Sequence, residues 1–133
     1  MFRIKYCREI ILKLLYSADV QQEIITDCKT RLKKYRGFWQ SLKPEEEEFI
    51  ARIIRRVFAE MKEIDQTIKK HLIGWQLGRL TPIDRNLLRM GIAEMKENEE
   101  KAIIIDDIIR ISKKYSEKDS FKIINAILDK VQI

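Results

Sequence analysis

The chain has 133 residues, 45% of them apolar, and its 27 Lys and Arg against 21 Asp and Glu leave a net charge of +6. That length suits a single domain, 1–133, with a real core, and is short for a catalytic domain beside a recognition domain. Four glycines, two prolines and one histidine leave little material for hairpins, phosphate-cradling loops or His-based metal sites, while the basic surplus fits either a polyanionic partner or a solvated, lysine-rich surface.

From about Ile4 to Ala18, the residues Ile4, Cys7, Ile11, Leu14, Leu15 and Ala18 recur at steps of three and four, which predicts one buried helical face. Lys5, Arg8, Leu12 and Tyr16 follow the same steps and form a second stripe, predicted to point away from the core. A second helix is predicted from about Gln21 to Tyr35, with Val20, Ile24, Cys28 (or Ile25) and Leu32 inward and its lysines outward, ended by Arg36-Gly37. Ser41 to Pro44 opens the third helix, where proline suits the first turn and Glu45 to Glu48 lie near the positive end of the helix dipole. That acidic run is better explained as helix-start chemistry than as a metal site.

The third helix should continue through Phe49, Ile50, Ile53, Ile54, Val57 and Met61, and a fourth through Ile64, Ile68, Leu72 and Trp75. Thr81-Pro82-Ile83-Asp84 then combines a capping hydroxyl, a proline at the first helical position and an acid at the third. This is the sharpest helix start in the chain. The helix it opens is apolar over much of its circumference, so it should be central, with Gly91 admitting a neighbouring backbone. A sixth helix carries Ile104, Ile105, Ile108, Ile111 and Tyr115, and a last one, opened by the capping-type Ser116 to Asp119, carries Phe121, Ile124, Leu128 and Val131. The fold class is therefore all-α, with about seven helices.

No nucleophile with a base, convergent pair of carboxylates or metal-ligand spacing appears, so no catalytic residue, metal or cofactor is expected. His71 sits at the edge of an amphipathic helix, and the adjacent pairs Asp106-Asp107 and Glu99-Glu100 look like ordinary solvated acids. Cys7 and Cys28 form no CxxC pair, and no apolar run approaches the roughly 18 residues of a membrane span. A soluble, cytoplasmic, non-enzymatic protein with no membrane partner is the expectation.

The segment Trp75 to Met95, with Arg79-Leu80-Thr-Pro-Ile-Asp84 and Arg89-Met-Gly-Ile-Ala-Glu94 within it, resembles the middle of the NusB family of bacterial transcription antitermination factors. Ile105 to Tyr115 and Asp119 to Val131 resemble that family's closing helices, Arg8-Glu9 and Leu15-Tyr16-Ser17 its first helix, and Glu63-Ile64-Asp65 the start of its fourth. The chain departs from the family at several points: its arginine-rich N-terminal tail is reduced to Arg3, Lys5 and Arg8, and its His after Asp-Ser is Phe121.

The resemblance implies seven helices in two packed bundles and binding of boxA-type single-stranded RNA of ribosomal RNA leader transcripts. It implies as partners the ribosomal protein NusE and the transcription elongation complex, with the chain as a monomer or homodimer. The RNA site would comprise Arg3, Lys5, Arg8, Tyr16, Asp119, Ser120 and Lys122: cations for phosphates, an aromatic for an unstacked base, and an acid for a base amino group. Asp119 has a second reading, as a cap of the last helix. Trp75, Arg79 and Asp84 would face the protein partner, although Asp84 also has its helix-start role. Two alternatives remain at this stage: an RNA-binding module like the front domain of some rRNA cytosine methyltransferases, and a helical interaction protein that binds no RNA.

Overall fold

The structure is a computed structural model that describes residues 1–35, 37, 41–72, 80–98 and 100–132. Among these, seven helices and no strand are found: α1 (Ile4–Gln21), α2 (Cys28–Lys34), α3 (Pro44–Ala59), α4 (Met61–Lys70), α5 (Pro82–Met95), α6 (Lys101–Tyr115) and α7 (Ser120–Lys130). One group, α1 to α3, packs through α1 on α3 and α2 on α3; the other packs α4, α6 and α7 around α5. Because α5 also contacts α1 and α3, it serves both bundles. Its burial is nearly circumferential, with Leu87, Leu88, Met90, Ile92 and Ala93 all at or below 1% exposed.

Local chemistry explains where α5 starts. The Thr81 side chain accepts from the Asp84 backbone N–H at 3.1 Å, and Pro82 occupies the first turn, where no amide donor is needed. Gly91 faces the Leu128 side-chain tips and Ile108, not a neighbouring backbone. Its lack of a side chain therefore accommodates side-chain packing from α7 and α6.

The second helix differs from the sequence expectation. The first helix runs on to Gln21 and ends with Gln22 in the left-handed conformation (φ 56°), its N–H returning to the Ala18 and Asp19 carbonyls. Asp27 then caps a shorter α2, accepting from the Thr30 amide at 3.2 Å and the Thr30 hydroxyl at 2.7 Å. The apolar period across Val20 and Ile24 loses to these two end signals, and both residues are exposed, while Ile25 and Leu32 enter the core. Met61 likewise opens α4 instead of closing α3. The Ser116 to Asp119 segment does not cap α7 by a side chain: Asp119 makes no capping bond there, and the Ser116 hydroxyl donates to Asp84.

Candidate nucleic-acid interface

The outward face of α1 is rotated from the predicted stripe. Lys5 and Tyr16 are exposed as expected, but Arg8 and Leu12 are only 2% and 3% exposed. The exposed line instead runs Lys5, Lys13, Tyr16, with the half-buried Glu9 between, roughly 50° round the helix at 3.6 residues per turn. The cause is the bidentate engagement of Arg8. Its Nε donates to Glu94 at 2.9 Å, a second nitrogen donates to the other Glu94 oxygen, and a third reaches Asp107 at 2.8 Å. Burial works against the guanidinium charge, yet the bonds to Glu94 and Asp107 outweigh it and hold Arg8 above its ordinary pKa. Asp107 is therefore no solvated acid, being 4% exposed and also bound by Arg110 at 2.6 Å. The signal that could have revealed this pairing is Glu94, a carboxylate within the apolar last stretch of α5, Met90 to Met95.

Arg3 is also engaged within the fold. Its side chain donates to both oxygens of Glu46 at 2.8 and 2.9 Å and to the Ser41 carbonyl at 2.8 Å. Glu46 is the third residue of α3 and accepts from the Lys43 amide at 2.9 Å. The Arg3 guanidinium, with the backbone amides of Lys43 and Arg3, holds the Glu46 carboxyl down to about 2. The acidic run at Glu45 to Glu48 thus performs helix-start chemistry, and Arg3 tethers the N-terminal end of α1 to it.

At the other end of the predicted site, Asp119 and Lys122 are both exposed and pair loosely at 3.5 Å. Ser120 does not present its hydroxyl outward; it donates to Asp84 at 2.9 Å, beside the bond from Ser116 at 2.7 Å. Asp84, predicted to face a protein partner, is 5% exposed and joins the start of α5 to both ends of the α6–α7 turn. An open cleft of about 530 Å³ lies between Leu80, Thr81 and Asp84 on one side and Glu117 to Ser120 and Ile123 on the other. Trp75 and Arg79 lie outside the described residues.

The structure adds residues that the sequence reading did not assign. Glu9 accepts from Arg110 at 2.9 Å, from Lys114 at 2.8 Å and from the Tyr115 hydroxyl at 2.8 Å, which ties α1 to α6. Burial pushes the Glu9 carboxyl up, but those three hydrogen bonds outweigh it and bring it down to about 2. Lys13 lies 5.8 Å from the Tyr115 ring centre, joining α1 to α6, and Lys113 lies 4.7 Å from that of Phe121, joining α6 to α7. Among the described residues no helix is long and apolar enough to cross a membrane, and no group of His, Cys, Asp and Glu is arranged to hold a metal.

The NusB family model matches residues 6–132. A transcription antitermination protein NusB from an Anaeromyxobacter species is 34% identical over 128 residues, covering 93% of this chain and 85% of that protein. The Acetivibrio thermocellus protein of the same name is 32% identical over 127 residues, covering 93% and 84%. Among solved structures, T. maritima NusB superposes with a TM-score of 0.82 at 27% identity, covering 95% of this chain and 87% of that one. A structure of antitermination factors NusB and NusE in complex with dsRNA gives 0.82 at 26% identity, covering 97% and 96%.

Proposed function

The chain belongs to the NusB family, and from that premise we propose that it is a non-catalytic, cytoplasmic transcription antitermination factor. It binds boxA RNA of ribosomal RNA leader transcripts together with NusE, as one RNA-binding domain delivered to the elongation complex. The observation that carries this reading is the set of exposed basic and aromatic groups on three neighbouring elements. They are Lys5, Lys13 and Tyr16 on α1, with Lys13 against Tyr115 of α6; Lys113 of α6 against Phe121 of α7; and Asp119 with Lys122 at the start of α7. Lysines meet phosphates, Tyr16 offers a ring to an unstacked base, and Asp119 accepts from a base amino group. The structure of NusB and NusE in complex with dsRNA supports NusE and RNA as partners. The named relatives are transcription antitermination proteins, which favours that role over a methyltransferase module.

The test is a titration of labelled boxA-type RNA and of a scrambled control, each with and without NusE. Preference for boxA, tightened by NusE and weakened by salt, is the expected result. Equal binding of both RNAs in both conditions refutes the reading.

A further inference from the structure

Two consecutive residues in the first turn of α5 hold both flanks of the candidate site. Arg85 donates to Asp19 at 2.6 and 2.8 Å, about one helical turn beyond Tyr16 on α1. Asp84 takes the other flank. One of its oxygens accepts from the Ser116 hydroxyl at 2.7 Å and the other from the Ser120 hydroxyl at 2.9 Å. These serines bracket the turn between α6 and α7 that carries Asp119. Among the described residues, theirs are the only side-chain hydrogen bonds from that turn to another element. Asp119 makes no helix cap and pairs loosely with Lys122 of its own helix, at 3.5 Å.

The Asp84 carboxylate does not serve the helix start. An acid at the third helical position ordinarily reaches back to the amide of the capping residue, as Glu46 does to Lys43. In α5 the Thr81 hydroxyl makes the cap, and both Asp84 oxygens are turned to the serines instead. The residue is 5% exposed and has no cation partner among the described residues. Since a carboxylate only accepts, both hydroxyls must aim their protons at it, which limits each serine to one direction.

We propose that Asp84 is a positioning residue for RNA recognition: by clasping Ser116 and Ser120 it fixes the α6–α7 turn, and with it Asp119, relative to Tyr16 on α1. Lys5 and Lys13 do not depend on this clasp, because the Arg3 and Arg8 anchors of α1 bypass the turn. The clasp therefore acts on discrimination between RNA sequences, which base contacts supply, and not on the salt-dependent attraction of the backbone. This inference rests on the RNA-binding reading above and adds what orients one of its base-reading groups.

The experiment measures affinity for boxA-type and scrambled oligoribonucleotides from 50 to 200 mM salt. It compares the unaltered chain with Asp84→Ala, Ser116→Ala/Ser120→Ala, Ser116→Thr/Ser120→Thr, Asp119→Asn and Asp84→Ala/Asp119→Asn, each well below the melting temperature read from its thermal melt. Opening the clasp from either side, at Asp84 or at the two serines, should lower the preference for boxA about tenfold, the worth of one base contact. Affinity for scrambled RNA should stay within about twofold, with the salt slope unchanged. The threonine pair retains both hydroxyls and should retain the preference. In the Asp119→Asn background, Asp84→Ala should lower the preference by less than about twofold more, because it acts through Asp119. An unchanged preference in the folded alanine variants, an additive loss in the double variant, or an equal loss of affinity for both RNAs overturns the positioning role. Absence of a boxA preference in the unaltered chain overturns the underlying reading instead.

Discussion

Replacing Arg8 by methionine separates a structural role for this residue from an RNA-binding one. The guanidinium is 2% exposed, and its removal leaves Glu94 with none of its described partners, whereas Asp107 keeps Arg110. Breaking one side of a buried pair costs about 3–5 kcal/mol, because the other charge stays desolvated. Unfolding entropy of about 2.1 cal/mol/K per residue gives about 0.28 kcal/mol/K for this chain, so a loss of about 4 kcal/mol lowers Tm by roughly 14 °C. The double variant Arg8→Met/Glu94→Leu removes both charges at that contact and should recover to within about 1 kcal/mol of the unaltered protein. The assay is urea unfolding followed by circular dichroism, paired with RNA titration of Arg8→Met well below its melting temperature. RNA affinity should stay within about twofold. A loss of stability below about 1 kcal/mol, or a tenfold loss of RNA affinity in the folded variant, refutes the assignment of Arg8 to the core.

Three further outcomes are expected. Glu9 and Glu46 are both held down to about 2 in the fold against an unfolded value near 4.3, so their stabilisation is complete above about pH 4.5 and is lost as pH falls toward 2. A Glu9→Gln/Glu46→Gln variant should be less stable at pH 7 with a flatter acid limb in urea midpoints; parallel limbs contradict this. Gly91→Ala should be neutral or stabilising by up to about 1 kcal/mol in thermal melts. The new methyl meets only the Leu128 and Ile108 side chains at 3.4–3.5 Å, and alanine is the better helix former; a loss above about 2 kcal/mol contradicts that packing. Asp119→Asn should weaken RNA binding with Tm unchanged, since Asp119 makes no helix cap, whereas Asp84→Asn should cost about 1–3 kcal/mol in unfolding experiments by disturbing two buried-side hydroxyl bonds. The opposite assignment of effects refutes both roles.

Helix positions were legible where the governing chemistry is local. Thr81, Pro82 and Asp84 lie within four residues, and the same is true of Pro44 and Glu46, so α5 and α3 start where their sequences say. The stripes of α6 and α7 were legible because Ile104, Ile108, Ile111, Ile124 and Leu128 face one core. The facing of α1 was not. Its three-and-four steps fit two stripes, and an arginine in one of them carries no mark of whether its partner is a phosphate or a carboxylate. The partners of Arg8 lie 86 and 99 residues downstream, beyond the reach of any local pattern. The same distance problem moved Arg3, Ser120 and Asp84 inward, and left Lys5, Tyr16, Asp119 and Lys122 as the exposed part of the candidate site. Val20 and Ile24 failed for the opposite reason: an apolar period was read through a region where Gln22 and Asp27 end one helix and begin another.

The ion pairs that withdraw arginines from the surface also determine what the surface presents. An apolar stripe on α1 would tolerate rotation or sliding against α3 and α5, since hydrophobic contact is non-directional. Directional bonds restrict both. Arg3 fixes one end to α3 through Glu46, Arg8 fixes the middle to α5 and α6, and Asp19 fixes the far end, accepting from Arg85 at 2.6 and 2.8 Å, Asn86 at 2.8 Å and Arg89 at 3.2 Å. Arg89 in turn grips Asp65 on α4 at 2.8 and 3.0 Å. With three fixed points along 18 residues, α1 has one rotation, and that rotation turns Lys5, Lys13 and Tyr16 outward beside the α6 lysines. The three anchors share this task, so that when Arg8 is replaced Arg3 and Asp19 still hold the rotation that turns the exposed cations outward, as rigid support does for any preorganised site.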